Sequence, residues 1–181
     1  KTKKKTMETH KKLPLEYVIR EPQVRTKRSP VIFMLHGYGS NEEDLFSFAN
    51  ALPPEYTIIS FRAPYHLASF GYAWYMINFD ADQNNWSDTK QAIESRDLIM
   101  HAIEEACRVY DLDTRNVTLL GFSQGSILSM AVALSYPKKI RNVIALSGYL
   151  NKDIIKNCCK PYVAVVFIMP LELKIKNSLN T

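Results

Sequence analysis

The chain has 181 residues, 46% of them apolar and 23% charged. These proportions suit one folded domain with a sizeable core and exclude a largely disordered chain. The formal net charge of +5 is concentrated at the start, where Lys1, Lys3, Lys4, Lys5, Lys11 and Lys12 crowd the first twelve residues. No aromatic side chains interleave with these lysines to stack on bases, so residues 1–12 read as a solvated, flexible arm. The remainder is close to neutral, and no nucleic-acid partner is expected. Residues 13–181 read as a single domain.

Cys107, Cys158 and Cys159 are an odd set with two adjacent members, which makes no disulfide framework and points to a reducing, cytoplasmic setting. The start of the chain lacks the apolar stretch of a signal peptide. Asn85-Trp86-Ser87 and Asn116-Val117-Thr118 match the glycosylation sequon, a short pattern that a cytoplasmic protein ignores. No His, Cys and acidic residues cluster at ligand spacing, so no metal is expected.

In chain order, residues 15–19 suggest an edge strand. Val31–Leu35 and Thr57–Phe61 are continuous apolar runs of strand length, as are residues 117–120, 143–146 and 162–168. Such runs suit strands covered on both faces. Ser40 and Glu43 have capping-box spacing, which predicts a helix over residues 41–52, stopped by Pro53-Pro54. A longer helix is predicted over residues 88–110, with Ile99, Ile103, Ala106 and Tyr110 at helical period. A third begins just after Ser123 and ends near Tyr136, before Pro137. Residues 117–134 carry no charge, but Gly121, Gln124, Gly125 and several serines make them a strand, a turn and a buried helix instead of a membrane span. No stable membrane insertion is expected. Strands alternating with helices imply an α/β fold with a mostly parallel sheet and helices on both faces.

Ligands of such sheets bind beyond the carboxyl ends of the strands. Gly37, Gly39, Gly121 and Gly125 mark two such ends. Gly121-Phe122-Ser123-Gln124-Gly125 is a G-x-S-x-G elbow in its strand–turn–helix context, which makes Ser123 the candidate nucleophile. Acyl transfer needs donors for an oxyanion. The N–H of Gln124 and, from His36-Gly37-Tyr38-Gly39-Ser40, that of Tyr38 are the candidates. His36 itself reads as a structural loop residue.

These motifs, with Arg62-Ala63-Pro64, Trp74-Tyr75 and Ala145-Leu146-Ser147-Gly148, resemble the phospholipase/carboxylesterase family of α/β-hydrolases over residues 31–150. The resemblance implies an α/β-hydrolase fold without a large lid and a small, cofactor-free esterase, in many members a homodimer. It implies short esters, lysophospholipids or acyl thioesters as substrates, with Trp74 and Tyr75 near the acyl pocket; a place for both aromatics in the core or on the surface stays open. The triad order of serine, acid, then histidine is not met. His10, His36, His66 and His101 all precede Ser123, and Asp153 and Glu172 are the only later acids. Residues 162–167 and 168–172 resemble the family's segments on either side of the triad aspartate. The sequence as it stands therefore reads as lacking a loop between Phe167 and Ile168 and a segment after Thr181. The alternative is a catalytically inactive binding protein on the same fold.

Overall fold

The computed structural model describes residues 12–24, 26–68, 70–77, 87–156 and 164–168. The basic arm up to Lys11, Asn85, Trp86, Cys158, Cys159 and Glu172 lie outside the described residues.

Two of the apolar runs become strands covered on both faces, whereas the run at Asn142–Leu146 alternates between buried and half-buried positions. β2 (Val31–Leu35) and β3 (Thr57–Phe61) are buried at every position. β6 (Val117–Phe122), β7 (Asn142–Leu146) and β8 (Ala164–Ile168) lie parallel to them. β1 (Tyr17–Arg20) pairs antiparallel with β3 at one edge. The order is β1-β3-β2-β6-β7-β8. The chain moves outward from β2 to β3 and then returns to lay β6 on the other side of β2. That reversal opens a crevice above the carboxyl ends of β2 and β6.

Alternation along β2 divides the core. Val31, Phe33 and Leu35 belong to the large cluster that includes α2 (Thr89–Val109) and α3 (Gln124–Ser135). Phe33 stacks on Phe61 with ring centroids 5.3 Å apart. Ile32 and Met34 join Ile58, Leu45 and Ala49 on the opposite face. α2 starts where Asp88 accepts a hydrogen bond from the Gln91 N–H at 3.0 Å. It buries Ile99, Ile103 and Ala106 at helical period. The uncharged stretch over residues 117–134 is β6, one turn and most of α3. Among the described residues, no helix is long and apolar enough to cross a membrane.

The helix predicted over residues 41–52 is not continuous. It is a short α1 (Glu43–Phe46) followed by a 3-10 turn at Ala49–Ala51. The capping box does not form. The Ser40 backbone pairs with Tyr72 of a small hairpin, β4 (Tyr65–His66) and β5 (Tyr72–Ala73), and its hydroxyl donates to Asp44 instead. Asn41 takes over the turn by accepting from the Glu43 N–H. Propensity signalled a cap, but a tertiary pairing took the capping residue.

Arg20, on β1, donates to four carbonyls beyond α1: Ala49 at 2.6 Å, Leu52 at 3.2 Å, Pro53 at 2.9 Å and Tyr56 at 2.8 Å. At the other edge, β8 runs through Phe167 and Ile168 as consecutive residues, in register with Ala145 and Leu146. These are the two residues between which the sequence reads as lacking a loop.

Asp97 ties α2 to α3 and to the segment after a 3-10 turn at Lys152–Ile154. It accepts from Arg96 at 2.8 Å, from the Tyr136 hydroxyl at 2.7 Å and from Lys156 at 3.1 Å. Burial alone would raise its pKa, but these donors outweigh burial and hold it at about 2, below the ordinary 3.8. A depressed carboxyl stabilises the fold above its unfolded pKa and loses that contribution as it protonates. Denaturant midpoints of the wild type should therefore fall between about pH 4 and pH 2. Asp97→Asn should be less stable at pH 7 and flatter across that window; an equally steep Asn variant would remove Asp97 from the account.

Candidate active site

Ser123 sits between β6 and α3 with φ +51° and ψ −114°, a conformation that side chains rarely adopt. Its N–H donates to the Leu146 carbonyl at the end of β7, 2.8 Å away, and its carbonyl accepts from Ser126 and Ile127 in the first turn of α3. Strain of this kind costs on the order of 1–3 kcal/mol and persists only where the surroundings over-determine it.

The surroundings here are backbone. A Cβ on Gly121 would lie 2.4 Å from the Gly125 carbonyl oxygen. A Cβ on Gly125 would lie 2.0 Å from the Leu35 carbonyl oxygen and 2.6 Å from that of His36. The two glycines let α3 pack against the end of β2. The loop after β2 meets the elbow in turn: a Cβ on Gly37 would stand 3.0 Å from the ring of Phe122. The structure therefore brings the segment that carries Tyr38 beside Ser123 and Gln124. Gln124 opens α3, so its N–H is one of the first-turn groups without an intrahelical acceptor. The positive end of the helix dipole lies there as well.

The Gln124 side chain is buried and faces elsewhere. Its Oε1 accepts from the Trp74 N–H at 2.8 Å, and its Nε2 donates to the Tyr75 carbonyl at 2.7 Å. The Ser95 hydroxyl of α2 donates to the Trp74 carbonyl. Trp74 Nε1 donates to the His36 carbonyl at 2.9 Å. Trp74 and Tyr75 are 0% and 2% exposed, so the pair expected from the resemblance beside the acyl pocket packs in the core and offers almost no surface to a ligand. Burial is the main cause that pushes the Tyr75 phenol up. Exposed apolar side chains include Phe122 in the elbow itself and Phe70 against Gly39 of the loop after β2.

Among the described histidines, His36 and His66 are engaged by other groups. His36 is fully buried with both ring nitrogens engaged, to the Gly37 carbonyl and to the Ala63 N–H. His66 stands edge-on to Tyr72 in the hairpin, and His101 is exposed on α2. Asp153 lies in the exposed 3-10 turn after β7. Glu42 and Arg62 form a paired clamp at the base of the His36–Ser40 loop, with Nε to Oε2 at 2.6 Å, and Arg62 also lies over the Tyr72 ring. The hydrogen bond from Arg62 is the main cause that holds the Glu42 carboxyl below its ordinary range. The sequence reading missed this clamp, the Gln124 side chain and Ser95. For the clamp a signal was present, since opposite charges follow the carboxyl ends of two neighbouring parallel strands.

A separate cavity of about 440 Å³ opens at the amino end of β6, lined in part by Met100, Ile103, Cys107, Leu112 and Val117. Burial pushes the Cys107 thiol up to about 11, so it stays protonated and unreactive at neutral pH.

Residues 17–166 match the phospholipase/carboxylesterase family. Solved structures share the fold at low identity. Esterase PE8 is 22% identical with a TM-score of 0.69, covering 86% of this chain and 74% of that one. A carboxylesterase from Mesorhizobium loti is 19% identical with a TM-score of 0.69, covering 87% and 71%. The Bacillus cereus carboxylesterase is 16% identical with a TM-score of 0.69, covering 86% and 84%. The family match ends one residue before Phe167.

The packing of Gly125 on β2 is directly testable. Gly125→Ala should cost roughly 3 kcal/mol or more, the upper part of the range for overpacking, because rigid backbone leaves the methyl no exit. Urea denaturation measures this. An unchanged midpoint would show that α3 can lift from β2.

Proposed function

Because the chain belongs to the phospholipase/carboxylesterase family, we propose that it is a serine hydrolase of carboxylic esters that works through an acyl-enzyme on Ser123. The observation that carries this reading is the strained Ser123 backbone at the head of α3, above the carboxyl end of β6. A hydroxyl presented in this way can attack an acyl carbon. The Ser123 Oγ–acyl bond forms as the alcohol or thiol leaves with a proton, and water then cleaves the acyl-enzyme to the free acid. The N–H groups of Tyr38 and Gln124 hold the negative oxygen of each tetrahedral intermediate. Short esters, lysophospholipids and acyl thioesters are the substrate classes, and the exposed Phe122 and Phe70 rings favour an acyl chain over a polar group.

The proton acceptor for Ser123 is not among the described residues, and no histidine follows Ser123 in the sequence. With no acceptor for the Ser123 proton among the described residues, the second reading is a protein that binds esters on this fold without cleaving them. Loss of a triad histidine costs on the order of 10⁶ in kcat in a well-studied serine hydrolase. A fluorophosphonate probe separates the readings, because only an activated serine reacts. Intact mass spectrometry of the treated protein should show one adduct, located on Ser123 and absent from Ser123→Ala. A folded wild type that takes up no probe and does not hydrolyse a short p-nitrophenyl ester supports the binding protein and ends the esterase reading.

A further inference from the structure

Two successive carbonyls at the entrance to the oxyanion loop are held from inside the protein. The His36 carbonyl accepts from Trp74 Nε1 at 2.9 Å. The Gly37 carbonyl lies 2.7 Å from Nδ1 of the His36 ring itself and also accepts, at the longer distance of 3.3 Å, from the Ser40 N–H. The second ring nitrogen, Nε2, lies 3.0 Å from the backbone nitrogen of Ala63. A backbone N–H can only donate, so Nε2 accepts and Nδ1 carries the proton. The geometry thus selects one neutral tautomer.

A trans peptide is planar, with its C=O and N–H pointing in opposite directions. The Gly37 carbonyl and the Tyr38 N–H belong to one such unit. A carbonyl held against the buried imidazole turns the Tyr38 N–H away from the interior. We propose that His36 is a positioning residue, whose Nδ1–H sets the Gly37–Tyr38 peptide so that the Tyr38 N–H faces the crevice beside Ser123. Its effect on rate rests on the esterase reading above, while the geometry does not.

The competing arrangement is costly on both sides. Rotation of that peptide would aim the Gly37 oxygen at the crevice, where it would repel an oxyanion. It would also leave Nδ1–H buried without its acceptor. Protonation is equally disruptive, since a hydrogen on Nε2 would oppose the Ala63 N–H. Burial is the main cause that lowers the His36 pKa from 6.5. The Gly37 carbonyl, Glu42 and Asp44 pull it up, and Arg62 after β3 pushes it down. Trp74 meets the ring with an uncharged face at 5.5 Å. The neutral form therefore predominates at pH 6.5.

Two substitutions divide the functions of the ring. Asn at position 36 can keep a donor near the Nδ1 position. Gln reaches the Nε2 position and can accept from Ala63. A role confined to anchoring Ala63 favours Gln, whereas positioning of the Tyr38 peptide favours Asn. We expect His36→Gln to lose roughly 10²–10³ in kcat on a short ester with little change in KM, the range for one oxyanion donor. His36→Asn should recover most of that loss. A Gln variant as fast as the Asn variant would overturn the proposal.

Nitrogen NMR reads the geometry independently of turnover. The wild-type His36 ring should carry its proton on Nδ1 at pH 6.5, and the Tyr38 amide resonance should move in His36→Gln and stay in place in His36→Asn. An Nε2–H tautomer or an imidazolium at that pH overturns the positioning whether or not the enzyme is active. The expected ring and amide signals in an inactive wild type would overturn the esterase reading alone. If either variant fails to fold, the wild-type ring signals decide.

Discussion

Less than a methyl group of room separates the start of α3 from the last carbonyls of β2. A Cβ on Gly125 would meet three backbone atoms within 2.6 Å. The rest of the site follows from that approach. It sets the height of the helix above the sheet, and so where Ser123 emerges. It brings the loop after β2 against Phe122, and so places two segments from distant parts of the sequence in one crevice. The reversal of strand order between β2 and β6 supplies the crevice, and the glycines allow its walls to meet.

Once in contact, the walls are joined by buried polar groups. Gln124 grips the backbone of Trp74 and Tyr75, Ser95 holds the Trp74 carbonyl, and Trp74 holds the His36 carbonyl. These bonds link α3, the segment after β5, α2 and the loop after β2. Each link is internal and apolar groups surround it, so the donors keep their directions without reorganisation by water. A fully buried aromatic pair can thus shape a site that it scarcely touches.

Much of this was readable from residue order. The bounds of β2 and β3 fall where the apolar runs begin and end, because strands buried on both faces need uninterrupted hydrophobic sequence. Asp88 and the spacing of Ile99, Ile103 and Ala106 marked α2, and the glycines around Ser123 marked the elbow. The family match agrees with the resemblance carried by those motifs. The remainder depended on contacts across long stretches of chain. α1 was overestimated because Ser40 pairs with Tyr72, thirty-two positions away in the numbering. The hairpin of two-residue strands left no periodicity to detect. The buried role of the Gln124 side chain was hidden by the motif itself, which explains that position through its backbone N–H alone.

Arg20 gives the fold a property that its backbone pairing alone does not. One guanidinium on the edge strand gathers four carbonyls from the turn after α1 and the approach to β3. That stretch has few ladder bonds of its own, so its order is borrowed from β1. The two segments should then open together as one cooperative unit, with amides of both exchanging hydrogen at a common free energy below that of global unfolding. An edge that would otherwise fray residue by residue becomes a single latch on the side of the sheet away from β8.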